Sequence, residues 1–205
     1  MRLRTAMLVA AVTSTAAISF PAAAAIVASA MTPLNIRSGP GPQYAVIGFI
    51  PDRGQAMITG CIQGSLWCQV SFNGKQGWAY SQYMTATLSG RSLAVAEMRN
   101  VPPVTYQAPV TTVGSAVPAP IVTETLVAPQ PGAPLALTPP PQVGSYIVSH
   151  PVTPAYLNGE VVVGAGVPED VVLSPVPGSD YDYAYLNSQP VLVEPSTRQV
   201  VYVYR

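Results

Sequence analysis

From about residue 25 to residue 87 the chain alternates short apolar runs with turn residues. Ile26–Met31, Leu34–Arg37, Tyr44–Ile50, Gln55–Cys61, Leu66–Phe72 and Gln76–Tyr80 each read as a strand. Ser38-Gly39-Pro40-Gly41-Pro42 and Pro51-Asp52-Arg53-Gly54 separate them as irregular turns. The run Leu66–Phe72 shows the period of two. Cys68, Val70 and Phe72 fall on one face, and Trp67, Gln69 and Ser71 on the other. Asn73-Gly74 predicts a type I′ hairpin turn, because both central positions of that turn need positive φ. So many short strands in about sixty residues predict a small barrel.

Beyond residue 87 the pattern changes. Residues 88–142 read as a disordered, proline-rich linker, with a helical turn or two at Ser92–Asn100. Between Val101 and Pro141 there are eleven prolines and a single charge, Glu124. Residues 143–205 return to a small β-hairpin and meander domain. Ala155–Leu157, Asn158-Gly159 and Glu160–Val163 predict a hairpin, Asp170–Leu173 a short strand, and Tyr183–Tyr204 a three-strand meander. Ala-Tyr-Leu-Asn occurs at 155–158 and again at 184–187, which suggests a duplicated hairpin unit. The fold class is therefore mainly β.

The 23 prolines and 16 glycines argue against one large core, since proline interrupts helices and central strands. Charged residues are 9% of the chain and the formal net charge is zero, so no basic footprint for nucleic acid is present. Arg2 and Arg4, an apolar run at Ala6–Phe20, then Pro21 and Ala22–Ala25, have the layout of a secretory signal peptide over residues 1–24. The apolar run is too short for a membrane span, and none is expected after cleavage. Export places the chain in the periplasm or outside the cell. In that setting Cys61 and Cys68 read as a disulfide, with metal binding as the alternative.

No catalytic set emerges. His150 is the lone histidine and precedes Pro151, so neither a cysteine nor a serine nucleophile has a base. Glu169-Asp170 reads as solvated acids in a turn after Pro168. Asp180 and Asp182 supply too few oxygens for calcium. Gly164-Ala165-Gly166 lacks the remainder of a dinucleotide motif, and no cofactor or metal site is expected. The aromatics Tyr44, Trp67, Trp78, Tyr80 and Tyr83 are the candidate ligand-binding residues. Aromatic grooves take extended peptides and flat rings suit sugars; each of these residues alone is expected in the core or partly in it, while the group as a whole is expected to leave at least one exposed aromatic platform. Residues 25–87 carry Arg37, Arg53 and Lys75 against Asp52, while 143–205 carry six acids against Arg198 and Arg205. The two ends are read as independently solvated, with a weak, salt-sensitive contact as the alternative.

Leu34-Asn35-Ile36-Arg37-Ser38-Gly39-Pro40-Gly41, Tyr44, Val46-Ile47-Gly48, Pro51–Gly54, Trp67–Val70, Asn73–Ala79 and Tyr83 resemble, in order and spacing, the bacterial SH3-like (SH3b) family. The resemblance implies an SH3-like barrel over residues 25–87, whose relatives often bind cell-wall peptides or glycans or assist cell-wall enzymes. Ser149–Val152, Tyr156–Gly164, Val167–Val171 and Val200–Tyr204 resemble a C-terminal domain of unknown function from exported bacterial proteins. The expectation is a non-catalytic envelope protein whose barrel binds peptidoglycan or a partner protein. The alternative is a structural component that assembles through its β-rich tail.

Overall fold

The computed structural model describes residues 25–88, 90–108, 124–129 and 137–205. The signal-peptide reading of residues 1–24 lies outside them. The barrel strands follow the sequence pattern: β1 (Ile26–Ala30), β2 (Leu34–Arg37), β3 (Val46–Ile50), β4 (Gln55–Cys61), β5 (Trp67–Phe72) and β6 (Lys75–Tyr80). Two further strands, β7 (Met84–Leu88) and β8 (Arg91–Ala94), extend the same sheet, whose order is β3-β2-β6-β5-β4-β1-β7-β8. Asn73 and Gly74 both have positive φ (48° and 77°), as the type I′ turn between β5 and β6 requires.

The inner face of this sheet is closely packed. Ile58 on β4 lies opposite Val70 on β5, and Val70 lies opposite Gly77 on β6. A methyl group on Gly77 would overlap Ile36 Cγ2 at 2.5 Å, so a glycine there lets β2 close onto β6. Leu34, Ile36, Ile50, Ile58, Cys68, Val70 and Met84 are almost entirely removed from water. The cysteines form the expected disulfide, joining directly opposed residues of β4 and β5.

The tail builds a second, four-stranded sheet: β11 (Ser174–Pro175), β12 (Asp182–Leu186), β13 (Gln189–Glu194) and β14 (Gln199–Val203), in that order. The last three are the predicted meander. Asn187 and Ser188 turn it with φ of 51° and 65°. Helix α1 (Pro141–Ser149) covers one face, with Ile147 packed among Tyr183, Leu192 and Val201. Sequence reasoning missed this helix, which begins at Pro141, where a missing N–H costs nothing. Its last carbonyls accept hydroxyls from the sheet: Tyr183 donates to His150 O (2.7 Å) and Tyr185 to Ile147 O (3.2 Å).

Several expectations need correction. The hairpin at Ala155–Val163 does not form. Leu157–Asn158 (β10) pairs in parallel with Glu124–Thr125 (β9), and Glu160–Val163 is not a strand. The repeated Ala-Tyr-Leu-Asn does not mark two hairpins. Its copies lie side by side, with Ala155 N donating to Tyr185 O and Asn187 holding Leu157 N and Gly159 O. Asp170–Leu173 is a turn and coil, closed by Arg198 donating to the carbonyls of Val167, Pro168 and Val171. The span read as a disordered linker contains structured parts: β8, a single 3-10 turn at Val95–Glu97, residues 101–106, β9 and α1's first turn.

The prolines and glycines do not prevent a shared core. One apolar cluster joins Leu34, Ile58 and Val70 of the barrel to Leu157, Val161, Val162, Leu186, Val191 and Val200 of the tail. The prolines gather in connections and leave the strands of both parts largely uninterrupted.

Candidate functional site

Strand pairing places the polar and aromatic residues of the barrel on one outer face. Asn35 and Arg37 of β2 point there, opposite in parity to buried Leu34 and Ile36. Arg37 pairs with Trp78, Trp78 with Gln69, and Trp67 with Tyr80. A register shift between Ile58 and Gly60 brings Gly60 opposite Gln69, on this same face. An isolated barrel would show water a continuous aromatic surface.

In this chain that surface is covered. Trp67, Trp78, Tyr80 and Tyr83 retain 4%, 5%, 4% and 6% of their exposure, and Tyr44 is half-buried. The expected exposed platform is therefore not observed. The reason is energetic: apolar area left in water costs about 25 cal/mol per Å², and the rest of the chain supplies the cover. Trp67 meets Tyr80 edge-on at 5.3 Å, and Tyr80 lies 5.9 Å from Tyr83. The Tyr80 ring sits beneath Gly159, beside Leu126. Burial pushes the Tyr80 hydroxyl up. It pushes Tyr83 up further, and neighbouring Tyr80 and the Glu160 carboxylate add to the shift.

The tail closes the β2 end of the face with a buried polar network. Arg37 donates through Nη2 to Glu160 Oε1 (2.8 Å) and through Nε to Glu160 Oε2. Asn35 Nδ2 donates to Glu160 Oε1 (2.9 Å) and to Gln189 Oε1 (2.7 Å). Arg205 donates to Asn35 Oδ1 (3.2 Å) and Pro33 O (2.8 Å). Arg37 and Glu160 have essentially no contact with water. The remaining Arg37 nitrogen, Nη1, donates to Pro42 O and Tyr44 O, which fixes the loop that carries Tyr44. The contact between the two ends is thus a buried joint, neither two solvated ends nor a weak surface contact. The six acids of the tail misled the charge count, because one of them, Glu160, makes the joint.

A second segment covers the other end. Residues 101–106 pass over β4 and β6 as a strap. Beyond Ile58, where pairing to β1 ends, Cys61 donates to Pro102 O (2.9 Å) and accepts from Val104 N (3.0 Å). A methyl group on Gly60 would stand 2.4 Å from Val104 Cγ1 and 2.6 Å from Pro102 O. Tyr106 then inserts its ring between Trp78 (5.4 Å, 82°) and Tyr44 (5.7 Å, 81°). Sequence reasoning did not place Tyr106 in the site. The signal available was an aromatic residue set in a proline-rich run.

With this geometry in view, known proteins can be compared. Residues 32–85 match the family model of the bacterial SH3 domain, and residues 146–205 match that of a domain of unknown function, DUF1236. The chain carries a bacterial SH3 domain. Over 53 residues it is 40% identical to YrvJ of Bacillus subtilis (strain 168), a protein provisionally named as an N-acetylmuramoyl-L-alanine amidase. The match covers 26% of this chain and 10% of that protein, so the chain spans about a tenth of its relative. The SH3 match takes in β2 to β6, Tyr44 and the aromatic face, while the other match takes in Glu160, Gln189 and Arg205. Among the described residues no helix is long and apolar enough to cross a membrane, and no group of three His, Cys, Asp or Glu could hold a metal ion.

Proposed function

We propose that this chain is an exported, non-catalytic protein of the bacterial envelope whose SH3 domain binds cell-wall material through its outer aromatic face. The observation that carries this reading is the face itself: strand pairing sets Trp67, Trp78 and Tyr80 on one side of a family-matched SH3 domain, and the loop held by Arg37 adds Tyr44. Flat aromatic rings stack on sugars and grip extended peptides, the two constituents of a cell wall. The relative named as an amidase, an enzyme name that points to cell-wall chemistry, supports the same substrate class. The disulfide fits an oxidising compartment, periplasmic or extracellular.

Assembly through the tail has less behind it. One face of the meander packs on α1 and the other enters the core shared with the barrel.

The test is co-sedimentation of the full chain with purified sacculi, run on the wild type and on Tyr106→Ala. Retention of either protein, reduced by Trp78→Ala in the same background, is the expected result. Retention of neither removes the cell wall as ligand and turns the search to envelope proteins.

A further inference from the structure

The two covers of the outer face differ in how firmly they are held. The tail contributes residues with no exposure, among them Glu160, Leu186 and Val191. The strap contributes none: Val101, Pro102, Val104 and Tyr106 are half-buried, while Pro103 and Thr105 are exposed. Two backbone hydrogen bonds to Cys61, the ring of Tyr106 and the half-buried side chains of Val101 and Val104 attach it. Backbone hydrogen bonds and aromatic pairs at a half-exposed site each add little net stability. Opening the strap therefore costs a small part of the protein's stability, while opening the tail dismantles its core.

We propose that Val101–Tyr106 is an internal ligand that masks a peptide-binding groove of the SH3 domain, and that an external ligand must displace it. This rests on the reading above that the outer face is the binding face. The groove has the parts that a strand-shaped ligand needs. Cys61 presents its N–H and carbonyl to an incoming backbone, and the disulfide to Cys68 holds that edge in place. Gly60, lacking a side chain, lets the incoming backbone approach closely. Tyr44 and Trp78 form a slot for a flat side chain four residues beyond the first paired carbonyl, where Tyr106 sits relative to Pro102. The occupant is an extended peptide strand that carries a ring at that spacing. Covalent attachment gives the strap an effective concentration of about millimolar, enough to keep weak contacts closed.

The experiment uses the full chain labelled at its tryptophan indole nitrogens, with a soluble paramagnetic agent reporting exposure. Trp78, whose ring meets Tyr106, is read against Trp67, whose ring meets Tyr80, as an internal reference. Two variants release the strap by independent means: Tyr106→Ala removes the ring, and Gly60→Ala pushes out the backbone. In both, the relaxation of the Trp78 indole is expected to rise severalfold while Trp67 stays constant. Adding the free hexapeptide Val-Pro-Pro-Val-Thr-Tyr to Tyr106→Ala is expected to return Trp78 towards its wild-type value. An unchanged Trp78 in both variants overturns the mask, and a rise that the peptide fails to reverse overturns the groove as a peptide site. Protection by the peptide together with no retention on sacculi leaves this inference standing and removes the cell-wall reading alone. Sacculi that protect Trp78 where the peptide does not would assign the groove to cell-wall glycan and overturn the peptide site.

Discussion

The strap and the tail lie on the same outer face of one SH3 domain, yet different physics holds each. The tail brings a carboxylate into a site without water, where Arg37, Asn35 and the Val161 N–H all donate to Glu160. The strap, itself half in water, brings two backbone hydrogen bonds, one ring and two partly buried valines. Cutting one partner out of a buried charge pair leaves the other charge stranded, whereas lifting a strap re-exposes its groups to solvent. The difference teaches which cover is architecture and which can leave. An SH3 domain docked permanently at its β2 end keeps a ligand groove at its β4 and β6 end.

Perturbations should separate the two covers in order of size. Glu160→Ala leaves Arg37 buried without its partner and is expected to cost about 3–5 kcal/mol in urea unfolding, with the tail released. Replacing Cys61 and Cys68 by serine is expected to cost about 2.5 kcal/mol in the chain-entropy view, and to loosen the strap without freeing the tail. Gly60→Ala is expected to cost about 1 kcal/mol, since only the strap must shift, and its effect should vanish in a Tyr106→Ala background where the strap is already loose. Hydrogen exchange at Val104 N–H and at Val161 N–H tells the two covers apart in every case.

The smallest effects concern conditions. Burial raises Tyr80 and Tyr83, so the folded state holds phenolic protons that the unfolded state releases near pH 10. Their contribution is complete below about pH 10 and declines as pH rises above it, so alkaline unfolding should coincide with late phenolate absorbance. Molar salt should change stability by less than about 0.5 kcal/mol, because the joint is buried and poorly screened. A large salt effect would return the joint to the class of surface contacts.

Much of this was legible in the chain. Six barrel strands follow from apolar alternation, and Asn73-Gly74 fixes the hairpin between two of them. Asn187-Ser188 likewise marks the meander. Asn35 and Arg37 alternate with Leu34 and Ile36, so their outward direction was readable, but their partners stand more than a hundred positions away. No local rule reaches that far. Glu160 looked like the polar end of a hairpin because Asn158-Gly159 precedes it, yet its carboxylate is used by the barrel, and tertiary pairing overrode the turn signal. Of the candidate aromatics, strand pairing brings Trp67, Trp78 and Tyr80 to one face. Burial of each ring alone was the better expectation from residue type, but the cover over the whole group was not readable, since it depends on which distant segments settle over them. Tyr106 escaped for a related reason: proline-rich surroundings look the same whether a segment is docked or not.

The claim that barrel and tail form one unit through the outer face is tested most directly by a double-mutant cycle on Arg37 and Glu160, with each replaced by methionine and then both, followed by urea unfolding. One cooperative transition is expected in the wild type, with two costly single variants and a double variant that recovers most of the loss, giving a coupling of about 2–3 kcal/mol. Near-zero coupling, with barrel and tail unfolding in separate transitions in the wild type, would contradict it.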